Sequence, residues 1–269
     1  MSRGLKLAVL LTLCSVLQAL AAAQSKYQVV PVSNGGTISG TVKWAGPLPH
    51  AEEFTVTKDP QVCDPASRKK VDLERLVVGP QGGVANTIVY LTNITRGKAI
   101  DLPPARRSVN QKQCRYEPHI LLVPQNADLQ MSSSDATLHT IHMNGAASYN
   151  LPFPDTSHPI SRTMQTPGLV NLRCNGGHVW MNAEMMVVPH PYYVVTDETG
   201  KFELTNVPPG KYVIEAWHEG WGIVSRETFD VLTERKIERP VFSEPRTWDK
   251  PVEAKSGENS TINFTISAK

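Results

Sequence analysis

Arg173-Cys174-Asn175-Gly176-Gly177-His178-Val179-Trp180-Met181 closes a stretch that opens upstream on Asp135-Ala136-Thr137-Leu138-His139-Thr140-Ile141-His142. Read in order, this stretch offers an imidazole, a thiol, a second imidazole and a thioether. Thiolate and thioether are soft donors that stabilise Cu(I), and imidazole serves both Cu(I) and Cu(II). Two His and one Cys with a weak axial Met make the trigonal ligand set of a blue-copper electron-transfer site. The candidate metal ligands are therefore His139, Cys174, His178 and Met181, with His142 as the alternative first imidazole. Each residue alone has a plainer account: a Cys in an apolar strand is usually a small buried hydrophobe, and a Met such as Met185 or Met186 usually fills core. The combination points to a metal, because three ligand types sit close together behind one strand and a fourth lies behind another.

The flanks carry a family resemblance. Tyr116-Glu117-Pro118-His119-Ile120 running on to Val123, followed by Asp135 to His139, resembles the strand pair ahead of the first ligand in cupredoxins. Pro167-Gly168 with Val170, Leu172 and Cys174 resembles the strand that delivers the cupredoxin Cys. The resemblance covers about a third of the chain, and it implies copper as cofactor and a redox partner protein. Thr140 stands where cupredoxins usually carry Asn after the first His. Cupredoxins commonly expose the His that follows the Cys. The resemblance therefore implies a His178 edge near the surface, left open by Gly176-Gly177, with His139 buried and Trp180 walling the site.

The start of the chain reads as an export signal. Arg3 and Lys6 precede an apolar run from Leu7 to Leu20, and small residues up to Ala23 offer a cleavage site. That run is too short for a comfortable membrane span, and no other stretch qualifies. Loss of Arg3 and Lys6 brings the 27 basic residues to 25, against 25 acidic ones. Such a balance, with no basic stripe, argues against nucleic acid as partner. Export leaves Cys63, Cys114 and Cys174. In an oxidising compartment two thiols usually pair and the odd one needs an explanation. If Cys63 pairs with Cys114, Cys174 is left among the ligands, where a metal would keep it as thiolate. The alternative is an intermolecular disulfide through Cys174.

The remaining length of about 245 residues fits one large β-domain or two small ones. Short β-branched runs lie between turn signals at spacings of about ten residues, the pattern of an all-β sandwich. Strands are expected at 37–44, 73–78, 84–91, 119–123, 138–142, 169–174, 184–188, 192–196, 202–204, 212–217 and 262–266. Residues 239–260 read as an extended surface excursion. A second resemblance covers much of the rest. Thr196 to Leu204 and Val207-Pro208-Pro209-Gly210-Lys211-Tyr212 look like the carboxypeptidase regulatory-like module, a prealbumin-like sandwich whose opening pattern is found earlier as Gly36-Thr37-Ile38-Ser39-Gly40-Thr41-Val42. The expected fold class is all-β, a cupredoxin-like Greek-key sandwich combined with a carboxypeptidase regulatory-like β-sandwich. The expected organisation is a signal at 1–23, the first part of the regulatory-like sandwich at 34–100, the copper-binding segment at 101–189, and the second part with the C-terminal tail at 190–269. The joint pattern resembles a group of secreted bacterial proteins labelled methylamine-utilisation or plastocyanin-like.

No nucleophile elbow, phosphate-binding Gly loop or His-Glu-x-x-His is present, so the chain reads as a non-enzyme. Three functional classes are consistent with the sequence. The first is an exported one-electron carrier. The second is a glycan- or protein-binding module using the aromatics of His190 to Tyr193 and Trp217 to Trp221, residues that equally suit an interface between the sandwiches. The third is a copper storage or delivery protein with His142, Met143 and Met185 as extra ligands.

Overall fold

The structure, a computed structural model, describes residues 27–50, 53–230 and 236–268; the expected signal segment lies outside them. It is built almost wholly of strands, which form two β-sandwiches.

The first sandwich pairs a five-stranded sheet with a four-stranded one. The larger sheet runs in the order Tyr149–Phe153, His139–Gly145, Gly168–Arg173, Asn182–Val188, Ile120–Pro124. The smaller runs Ile160–Met164, Ala127–Ser133, Ser108–Lys112, Arg115–Glu117. Alternate side chains of a strand face opposite sides. Ile141, Met143, Val170, Leu172, Met185 and Val187 thus meet Val109, Tyr116, Leu129 and Met131 in one buried core. The Asn182–Val188 strand is covered on both faces, because its Glu184 and Met186 side points at the second sandwich.

The second sandwich is made from both ends of the chain. Gly36–Ala45 pairs with Lys201–Val207, Asn259–Thr261 and Phe264–Ser267. Facing it are Tyr193–Val195, Ile88–Leu91, Gly210–His218 and Arg246–Ala254. Its core holds Ile38, Val42, Val89, Leu91, Phe202, Leu204, Ile214 and Phe264. The turn at Asp197–Gly200, closed by the Gly200 N–H donating to the Asp197 carbonyl, leads from Tyr193–Val195 into Lys201–Val207. Gly200 sits at φ +71°, and a Cβ there would lie 2.1 Å from the Val42 carbonyl oxygen, so only glycine makes this approach.

Two expectations fail for physical reasons. Residues 73–78 do not form a strand. Glu74 takes a left-handed conformation at φ 58°, its N–H donates to Asp72 Oδ1 at 2.8 Å, and Arg75 turns into a buried ionic cluster. The short strand before it, Lys70–Asp72, pairs instead with Glu53–Thr55. Nor are residues 239–260 a surface excursion. Arg246–Ala254 pairs along its whole length with Gly210–His218. Its charged residues and Pro251 suit a sheet edge, and Lys250 breaks the alternation of Trp248, Val252 and Ala254 on its core side.

The two sandwiches meet on Ile88, Ile120 and Trp217, with Tyr90, Leu122, Leu169, Met186 and Tyr193 packed around them. Tyr90 and Tyr193 stack with centroids 4.6 Å apart. The aromatics around Trp217 therefore serve the interface.

Candidate metal centre

Two strand ends bring the donors together. His139–Gly145 pairs antiparallel with Gly168–Arg173 in the register His142↔Arg173 and Met143↔Leu172. His139, at the start of one strand, thus lies beside the loop that follows Arg173. His139, Ile141 and Met143 share the buried face of their strand, whereas His142 points the other way and is only half-buried. Of the two imidazoles read from the sequence, the fold brings His139 to Cys174 and leaves His142 apart from them.

The loop from Cys174 to Met181 is tied at several points. The Asn175 N–H donates to Thr140 Oγ1 at 2.6 Å, so Thr140, in the place where cupredoxins usually carry Asn, joins the two ligand-bearing segments. The Gly176 N–H points at Cys174 Sγ at 3.3 Å. A Cβ on Gly176 would sit 3.2 Å from the Leu138 carbonyl oxygen and 3.3 Å from that sulfur, so the close approach favours glycine. The Met181 N–H donates to the His178 carbonyl at 3.0 Å and closes the last turn; Met181 is itself buried. Trp180 stands edge-on to His178 with centroids 5.5 Å apart, and its indole N–H donates to the Cys114 carbonyl at 3.1 Å.

At the centre, His139 Nδ1 and His178 Nδ1 face each other at 3.1 Å, and Cys174 Sγ lies 3.8 Å from His178 Nδ1. The three donor atoms fall within 4.8 Å of one another. Each distal ring nitrogen meets a carboxylate: His139 Nε2 lies 2.9 Å from Asp135 Oδ2, and His178 Nε2 lies 3.0 Å from Asp59 Oδ2. A carboxylate accepts, so Nε2 carries the proton on both rings and both Nδ1 lone pairs turn toward the sulfur. Asp135 is held in turn by the N–H groups of Gln113 and Cys114, at 2.7 and 2.8 Å.

Electrostatics follow from this geometry. Burial alone would push the Cys174 thiol up, but hydrogen bonds and charge from His139 and His178 prevail and hold it well below the usual thiol range. Burial would likewise push His139 down, yet Asp135 and the Cys174 sulfur raise it to about 9. Asp135, raised by burial and lowered more by His139 and two backbone N–H groups, lies below the usual carboxylate range. Two lone pairs and a thiolate turned toward one point repel unless a cation lies among them. A proton answers that need, in keeping with the raised value of His139. The donors fit a soft metal ion equally well.

The surface-edge expectation for His178 is corrected. Its ring has 0% exposure, like that of His139, because Asp59 and its neighbours cover the distal edge. Cys63 and Cys114 form a disulfide, Cys174 is a free buried thiol, and the disulfide sulfurs lie within 4.8 Å of a His178 ring nitrogen. Three contributors escaped the sequence reading. Asp135 is four residues ahead of His139, a spacing that could have marked it. Asp59 is 119 positions from His178 and gives no local signal. Arg239 comes from the arm Lys236–Phe242 and donates to Asn175 Oδ1 at 2.8 Å.

Residues 190–240 match the family model of the BOS complex subunit NOMO1-like, second beta sandwich domain. No curated protein matches the chain. Among solved structures the chain is similar to a purple cupredoxin from Nitrosopumilus maritimus, at 15% identity over 30% of this chain and 98% of that one, with a TM-score of 0.27. It is similar to the reduced Cu(I) form at pH 4 of an amicyanin variant, at 20% identity over 33% of this chain and 87% of that one, with a TM-score of 0.29. A Cu-containing nitrite reductase from Thermus scotoductus SA-01 matches at 16% identity over 36% of this chain and 25% of its own, with a TM-score of 0.29.

Proposed function

We propose that this chain is an exported, mononuclear copper-binding protein that passes single electrons to a partner protein. The observation that carries the proposal is the convergence of His139 Nδ1, His178 Nδ1 and Cys174 Sγ in a fully buried pocket, with both distal nitrogens fixed by carboxylates. Copper held by a thiolate and two imidazoles supplies a Cu(I)/Cu(II) couple. His139, Cys174 and His178 would hold it, with Met181 as the weak axial donor that the sequence resemblance implies. A structural zinc site would want a fourth strong donor, and a thioether is a poor one for zinc. Asp135 and Asp59 keep the imidazoles in the ligating tautomer, and the surrounding core excludes water. With His178 covered, electrons would enter and leave through packed protein rather than an exposed imidazole edge. Among the described residues no helix is long and apolar enough to cross a membrane, which is compatible with an exported product. The non-catalytic binding reading keeps the 190–240 match as its support, but Trp217 is committed to the interface and Trp221 packs against Trp44 and Arg246. The test is the visible spectrum after Cu(II) addition. An intense thiolate-to-copper band supports the carrier, and a colourless adduct of protein with a free thiol contradicts it.

A further inference from the structure

Residues 53–72 form a small cap over the metal centre. It consists of the Glu53–Thr55 and Lys70–Asp72 pair and a one-turn helix, Pro60–Cys63. Asp59 stands at the N-cap of that helix, where Asp is favoured because its carboxylate can bond the first free N–H groups. Here its carboxylate makes no cap hydrogen bond, although its carbonyl accepts from the N–H groups of Val62 and Cys63. Asp59 sits in the left-handed region at φ 49°, which is unfavourable for a residue with a Cβ. Its Oδ2 accepts from Thr137 Oγ1 at 2.7 Å and meets His178 Nε2 at 3.0 Å.

The cap is fixed a turn later by the Cys63–Cys114 disulfide. Cys114 is itself in a left-handed conformation at φ 55°, and its N–H donates to the same Asp135 oxygen that holds His139. The two carboxylates behind the two imidazoles are therefore connected through one disulfide: Asp59 precedes Cys63 by a turn, and Asp135 is bonded to Cys114. The seam between cap and ligand loop is open on one side, where a cavity of ≈ 410 Å³ is lined by Phe54, Thr55 and Thr57 of the cap and by Gly177 and Val179 of the loop.

We propose that Asp59 is a positioning residue for His178, and that the cap bearing it is a disulfide-latched gate setting how fast metal and small ligands reach the donors. The proposal rests on the copper reading for its metal and on the apo geometry for its gate. Asp59 fixes the His178 tautomer and shields the ring edge, and the disulfide keeps Asp59 in place. Loosening either opens the seam at Gly177.

The experiment uses the full chain with Asp59→Ala, Asp59→Glu and the double variant Cys63→Ser/Cys114→Ser. In metal-free protein, long-range ¹H–¹⁵N NMR should find the His178 Nε2 proton protected from solvent in the wild type, unprotected in Asp59→Ala and restored in Asp59→Glu. In copper-loaded protein, extraction by a chelator should be about ten-fold or more faster in Asp59→Ala and in the double variant, and near the wild-type rate in Asp59→Glu. A His178 proton that stays protected in Asp59→Ala overturns the positioning role. Unchanged extraction in Asp59→Ala overturns the gate, whether or not the double variant folds. If the wild type takes up no copper, the copper reading fails, while the NMR comparison still decides the role of Asp59.

Discussion

Among the described residues two buried clusters pair histidine with carboxylate, and one of the two reads as a metal site. In the cluster between the sandwiches, His119 contacts Glu219, and Arg75 Nη1 lies 2.8 Å from Glu219 Oε2. Arg75 also donates to the Gly220 carbonyl and to Asn182 Oδ1, each at 2.7 Å, and its guanidinium lies 3.8 Å from the centre of the Phe242 ring. A permanent cation thus stands among the carboxylates. In the other cluster the facing atoms are two imidazole nitrogens and a sulfur, all electron-pair donors. The difference teaches that a buried His–carboxylate pair is not in itself a metal signature. The carboxylate meets the ring in both places; what matters is whether a guanidinium balances that carboxylate, as Arg75 does at Glu219, or whether the other ring nitrogens face each other and a soft donor.

The largest effect expected from breaking that contrast is at Cys174. Cys174→Ser should abolish the thiolate-to-copper band completely while leaving thermal stability of the metal-free chain nearly unchanged. A retained band would mean the sulfur is not a ligand. In the ionic cluster the corresponding change is Arg75→Ala, which leaves Glu219 buried with His119 as its remaining partner. A loss of about 3–5 kcal/mol in unfolding free energy is expected, read as a drop in the denaturant midpoint; a midpoint equal to wild type would show that the guanidinium is not what balances the cluster.

Next in size is a pH effect. Burial, followed by the Glu219 charge, pushes Glu184 up to about 7. The folded state therefore binds this proton more tightly than the unfolded chain does. Its contribution is fully present below the unfolded carboxylate value and is lost as pH rises through about 7. The loss amounts to at most ~3–4 kcal/mol. Glu184→Gln should remove this part of the pH dependence, and a variant whose stability falls with pH as steeply as wild type would contradict the assignment. The smallest effect concerns Met181. Met181→Leu should keep the colour and raise the reduction potential, because a donor that favours Cu(II) is gone; an unchanged potential would take Met181 out of the ligand set.

The convergence of His139, Cys174 and His178 was legible because ligand type, spacing and strand pattern coincide within a short segment. His139, Cys174 and His178 needed only the knowledge that two strand ends meet. The choice between His139 and His142 was not legible until the strand faces were assigned, since a shift of one residue reverses a side chain. The cover over His178 was illegible for a different reason. Asp59 meets it across 119 positions, held by a left-handed residue and a disulfide, neither of which leaves a periodic trace. Arg75 was misread as part of a strand because Leu73, Leu76, Val77 and Val78 around it look like one. Arg246–Ala254 was missed because Lys250 interrupts the face on which Trp248, Val252 and Ala254 meet the core.

The central claim is that His139, Cys174 and His178 together hold one copper ion, and X-ray absorption of the copper-loaded chain tests it most directly. The account predicts one copper per chain with a single close sulfur and two imidazole nitrogens, the sulfur signal vanishing in Cys174→Ser and one imidazole vanishing in His139→Gly but not in His142→Gly. A first shell of nitrogen and oxygen alone, or one that responds to His142 rather than His139, would contradict it.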